Sequence, residues 1–185
     1  MENQNDSNVG EQIMLCLLGQ FHDTWDLLSY HLRTLSTEEC FWRPGSEGPH
    51  IFKDESGLWR ADWPVREDYD TGPASIGWIS WHINMWWSML LNHSFGDQYL
   101  QIKDVTWPGD ANALRTRLLQ LKNEWVDSLQ KLEENELMAT TRSRWPWQNK
   151  HFSGMIGWAN MELMKNAAEI GYIRYLYSQR EKNLT

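Results

Sequence analysis

The chain is poor in cysteine, in positive charge and in long apolar runs. It has 185 residues and 2 cysteines, Cys16 and Cys40. Two thiols make no disulfide framework and lack the spacing of a cysteine metal site, so a core-stabilised fold in a reducing compartment is expected. Lys and Arg total 17 against 25 Asp and Glu, a net charge of −8. That balance repels a phosphate backbone unless the positive charges cluster, so nucleic acid is not expected as a partner. The opening MENQNDSNVG has neither the basic nor the apolar region of a secretory signal. No apolar stretch reaches the ~18 to 20 residues of a membrane span. A cytoplasmic protein with no membrane role is the expectation. What the chain has in excess is tryptophan, with 13 residues in a sequence only 41% hydrophobic.

This length suits a single domain over 1–185, of which 1–8 is expected to be disordered. Between Val9 and Leu35, apolar residues fall at Met14, Leu17, Leu18, Phe21, Trp25, Leu28, Leu32 and Leu35. Steps of three and four put them on one helix face. Ser36-Thr37-Glu38-Glu39 is turn-like and restarts only a short turn before Pro44-Gly45. Residues 43–74 hold Pro44, Pro49, Pro64 and Pro73 and show no sustained period. So long a connection is expected to be an ordered loop, with Phe52, Trp59 and Trp63 as apolar anchors. A second helix, capped by Ser75, runs from about Ala74 to Asn92 and is apolar nearly all round, so it is buried on most sides. A third follows Asp110, a good N-cap, with Leu114, Leu118, Leu121, Trp125, Leu129 and Leu132 in register. After a loop carrying Arg142, Arg144, Trp145, Trp147 and Lys150, a last helix runs from Ser153 to about Gln179. The pattern predicts an all-α protein, a four-helix bundle with a long ordered loop between helices one and two.

The informative residues are polar ones on apolar faces. Met155, Ala159, Glu162, Asn166, Glu169, Ile173 and Leu176 share one side of the last helix. A carboxylate there needs a cation, a hydrogen-bond partner or a proton. On the second helix Trp78, His82, Met85 and Met89 form one stripe, so His82 points inward. An imidazole on one helix, facing a carboxylate and an amide spaced i, i+4 on another, is a geometry with which bundles hold metals. A hydrogen-bonded core histidine and an ion-paired Glu162 explain the same pattern. His22, beside Phe21, is a further candidate for the pocket, although a surface position suits it as well. Cys16, among Met14, Leu15, Leu17 and Leu18, reads as a small core residue. The basic residues near Trp145 and Trp147 read as a solvated loop.

The segments LSTEECFWRPG, GLWRADWP, ASIGWISWHINMWW, the WPG before the third helix, and WANMELMKNAAEIGYIRYLY follow one another in an order that resembles the DinB-like superfamily. The resemblance covers nearly the whole chain. It implies an up-down-down-up four-helix bundle and a divalent metal, zinc or nickel, held by one histidine of helix two and a pair on helix four. The matching positions are His82, Glu162 and Asn166. The chain departs from the pattern at the third position, where histidine is usual; a neutral amide is a poor ligand for zinc or nickel, so the site is expected to be weakened. The resemblance further implies metal-dependent S-transfer with a low-molecular-weight thiol, and no catalytic residue is assigned. Trp78, Trp86, Glu169 and His22 are expected around the pocket, which would take a small molecule. The alternatives are a non-catalytic bundle that binds a small ligand, and a dimeric scaffold built on surplus Trp, Met and Tyr. On the pocket reading, the tryptophans are expected to wall and roof one cavity, with Trp59, Trp63, Trp145 and Trp147 over its mouth.

Overall fold

Apolar residues three and four apart draw the chain into four long helices, joined by shorter elements. A computed structural model describes residues 3–64 and 69–180. In chain order its elements are α1 (Asn3–Leu32), α2 (Thr37–Phe41), β1 (Ile51–Lys53), β2 (Trp59–Ala61), α3 (Ile76–Phe95), α4 (Ala111–Gln130), α5 (Glu134–Met138) and α6 (Phe152–Gln179). The fold is thus mainly α-helical. Residues 1 and 2, at the start of the segment expected to be disordered, lie outside the described residues, and α1 begins at Asn3. Among the described residues, no helix is long and apolar enough to cross a membrane.

α6 packs along α1 and against α3, and α3 also packs on α4. Their shared interior holds Phe21 and Leu28 of α1, Trp86 and Trp87 of α3, Leu114 and Trp125 of α4, and Ile156 and Ile170 of α6. α3 is the axis of this packing. From Ile76 to Leu91 every residue is buried except His82, which is half-buried. Both expected N-caps are formed. The Ser75 hydroxyl accepts the Trp78 N–H at 3.2 Å, and one Asp110 carboxylate oxygen accepts the Asn112 and Ala113 N–H groups, which satisfies donors that a helix start leaves unpaired. Ser36 and Glu39 close a capping box at the start of α2. Glu39 is buried, and its other carboxylate oxygen takes Arg174 of α6 at 2.8 Å.

The long connection is more structured than a loop. Its two short strands pair antiparallel, with Phe52 opposite Arg60. The Asp54 carboxylate closes the turn by accepting from Ser56, Arg60 and the Leu58 N–H, which holds it well below the usual carboxylate range. The hairpin is tied to the segment before α4 by the Trp107 N–H, which donates to the Trp59 carbonyl at 3.0 Å. The two ends of the connection cross at Gly48 and Gly72, both at positive φ, where a side chain at Gly48 would collide with the Pro73 carbonyl. The Ser75 N–H then donates to the Pro49 carbonyl at 2.9 Å. This crossing lays Pro49, Gly72 and Pro73 beside the start of α3. One core assignment is corrected: Cys16 is exposed. Phe21, Leu28 and Leu32 set the buried line of α1, and Cys16 falls off it.

Candidate functional site

The site lies where α3 meets α6. Trp78 and His82 are one turn apart on α3, and their rings stack at 5.1 Å between centroids with 8° between planes. Trp78 is itself fixed, because its indole N–H donates to the Asp62 carbonyl at 2.5 Å. From α6 comes Asn166, only 1% exposed. Its Oδ1 accepts the Trp86 indole N–H at 3.2 Å and lies 3.3 Å from His82 Nδ1. Its Nδ2 donates to Glu169 Oε2 at 3.1 Å. A cavity of about 340 Å³ opens in front of this cluster. Trp78, Ile79 and Ile173 wall it, Pro49, Gly72 and Pro73 of the crossed connection roof it, and Lys165, Glu169 and Tyr172 stand at its exposed rim.

Of the residues singled out in the sequence, His82, Asn166, Trp78 and Glu169 line one cavity, with Trp86 one layer behind. Glu162 is not among the cavity-lining residues; its Oε2 lies 2.8 Å from Lys165 Nζ, one turn along α6. His22 is a correction. It is exposed on α1 and packs on the Phe21 ring. Phe21 takes the buried position, which turns its neighbour about 100° round the helix, away from the cavity.

The tryptophans do not gather round one cavity either. Trp145 and Trp147 pack on Trp158, which packs on Trp86, while Trp59 packs on Phe41 and Trp107. Of the four expected over the mouth, Trp63 alone comes near the site, 6.4 Å from His82 between ring centroids. The basic loop is internally satisfied. Arg142 pairs with Glu136, and Lys150 sits 4.0 Å over the Trp147 ring.

Lys165, Tyr172 and the proline roof were missed. Tyr172 was readable, since it follows Glu169 by three residues on α6. The proline roof was not, because only the crossing of two loop ends brings it there.

The sequence profile of the DinB superfamily matches residues 20–170. The chain belongs to the DinB superfamily. Searches of curated proteins and of solved structures each found no match.

The donor set of this DinB-superfamily chain can be tested against the divalent metal that the resemblance implies. Among the described residues, no group of three or more His, Cys, Asp or Glu side chains is placed to hold a metal. Of the other two positions that the resemblance implies, Asn166 offers an amide oxygen already accepting an indole N–H, and Glu162 a carboxylate with an ammonium at 2.8 Å. Zinc and nickel want anionic or imidazole ligands, and Lys165 both neutralises Glu162 and repels a second cation. As the described residues are placed, these three positions do not fit a tight metal site. Nor does the chain's buried cysteine offer a thiolate, since burial pushes the Cys40 thiol up to about 12.

Proposed function

We propose that this DinB-superfamily protein binds a small, mainly apolar molecule in the α3–α6 cavity, with His82 and Asn166 meeting its one polar group. This reading takes the helices as the up-down-down-up four-helix bundle of the family. One observation carries it. His82 is the single break in the buried run of α3, and that break opens on a cavity walled by Trp78, Ile79, Ile173 and prolines. A concave apolar site with few convergent polar groups is what small-molecule recognition uses. The volume, about 340 Å³, lies at the small end of the usual range.

Metal-dependent thiol transfer is the competing reading, and it rests on family membership. It requires Glu162 to leave Lys165 and the Asn166 oxygen to leave Trp86. Untagged protein, assayed by elemental analysis and by titration with 2-naphthol followed in tryptophan fluorescence, separates the two. The expected result is less than stoichiometric zinc or nickel, with saturable naphthol binding that Ala74→Phe, which fills the cavity, abolishes. Stoichiometric metal lost in His82→Ala would overturn the proposal in favour of the metalloenzyme.

A further inference from the structure

A second polar stripe runs along α3. Ser80, Asn84 and Ser88 recur every four residues, and at about 100° per residue they lie roughly opposite His82, facing away from the α3–α6 cavity. All three are buried. The Ser80 hydroxyl accepts the Trp107 indole N–H at 2.9 Å, and Asn84 Nδ2 donates to the Thr106 carbonyl at 3.1 Å, so the upper part of the stripe ties down the segment before α4. The lower part holds a cation. Arg117 of α4 donates from Nε to Asn84 Oδ1 at 2.9 Å and from Nη2 to Ser88 Oγ at 2.8 Å. It is half-buried, and among the described residues no carboxylate pairs with it. A guanidinium carries five N–H donors in one rigid plane. Asn84 and Ser88 occupy its Nε–Nη2 edge. The Nη1–Nη2 edge, the fork that meets a carboxylate with two parallel hydrogen bonds, has no protein partner among the described residues.

Two cavities, of about 320 and 490 Å³, adjoin at Arg117, Ser88 and Leu100. Leu91, Phe95 and Leu121 give the larger one an apolar wall. The exposed charges round them are mainly acidic: Asp104 at the smaller, Glu124 and Asp127 against Lys131 at the larger. These carboxylates repel a doubly charged ligand more than a singly charged one. We propose that the α3–α4 groove is a second ligand site, in which Arg117 receives the carboxylate of a small apolar monocarboxylic acid. Two buried neutral acceptors fix the plane of the guanidinium and leave its charge uncompensated, and a carboxylate on the remaining fork supplies both the counter-charge and the missing acceptors. Because one edge is already held, little ordering remains to oppose binding at the other. The site shares no lining residue with the α3–α6 cavity and stands independently of the reading of that cavity.

Calorimetric titration of the full-length protein at neutral pH with 3-phenylpropionate, its neutral amide and phenyl phosphate tests the proposal. The acid is expected to bind at least about tenfold tighter than the amide, the strength of a hydrogen bond to a charged group, and tighter than the phosphate. Arg117→Lys keeps the charge and loses the fork; it is expected to weaken the acid at least about tenfold and to leave the amide unchanged. Ala74→Phe, which fills the α3–α6 cavity, is expected to leave binding of the acid as it is. The comparison of acid with amide needs only the native chain, so it decides the matter even if Arg117→Lys folds poorly. No binding of the acid, equal affinities for acid and amide, or an acid affinity unchanged in Arg117→Lys overturns the proposal. Loss of acid binding in Ala74→Phe would move the ligand to the other cavity and overturn it as well. Tighter binding of phenyl phosphate would overturn the monocarboxylate class.

Discussion

Asn166 is a small polar side chain with both ends engaged and almost no water contact. Truncating it strands the Trp86 indole N–H in the interior and opens a hole between α3 and α6. Asn166→Ala is accordingly expected to cost about 2 to 4 kcal/mol, the sum of an unsatisfied buried donor and a small cavity. Urea unfolding measures it, and a loss under about 0.5 kcal/mol, the level of an ordinary surface substitution, would mean that the amide is not held as described. Glu162 behaves differently because the partner it has on its own helix is a cation. Lys165 stands three residues on, in the ordinary arrangement of a helix-surface ion pair. Two carboxylates and an amide on one stripe look equivalent in the sequence, but their neighbours separate them. Glu169 reaches Asn166, while Glu162 turns to a lysine.

At the scale of elements, Arg174 is a tie between helices. Its guanidinium takes Glu39, the His31 carbonyl and Thr34, so it binds α6 to both the end of α1 and the start of α2. Replacing it leaves the buried Glu39 charge facing no cation. Arg174→Ala is expected to lower stability by about 3 kcal/mol, and Glu39→Gln in that background is expected to recover part of the loss, read from urea midpoints of the two variants and the parent. The helices were legible because apolar steps of three and four run through Leu28, Leu114 and Ile170, and because Ser75 and Asp110 announce their starts. The hairpin was not. Strands of three residues are too short to show alternation, and what holds them is the Asp54 turn and the Trp107 N–H, contacts that composition does not reveal. Trp145 and Trp147 were misplaced for a related reason. Their spacing says that they anchor a loop, and only the packing on Trp158 says to what.

For the whole molecule, charge and burial combine in its response to pH. Burial, and then the nearby Arg174, lower the pKa of His31 from its ordinary 6.5. The unfolded chain therefore takes up that proton first, so stability is highest above about 6.5 and declines as the pH falls below it. Further down, Glu136 and Asp97 have carboxyls lowered from 4.5 and 3.8, by the Glu133 N–H ahead of Arg142 and by Asn92 ahead of the Tyr99 N–H respectively. Their stabilisation is complete above those ordinary values and is lost as the pH drops through the folded ones. Urea midpoints from pH 8 to pH 3 are expected to show two descents, and His31→Gln is expected to flatten the upper one; an unchanged upper descent would remove His31 as its cause. The cavity shows a second division across the molecule. Its back wall is made by α3 and α6, which also build the core, while its roof is the crossing of Gly48 and Gly72 in the connection. On the ligand reading proposed above, selection could act on the two halves separately: changes in the roof would retune which molecule is admitted, while the wall preserves the frame and the histidine. On that reading, a lineage built this way would exchange ligands without having to reinvent its fold.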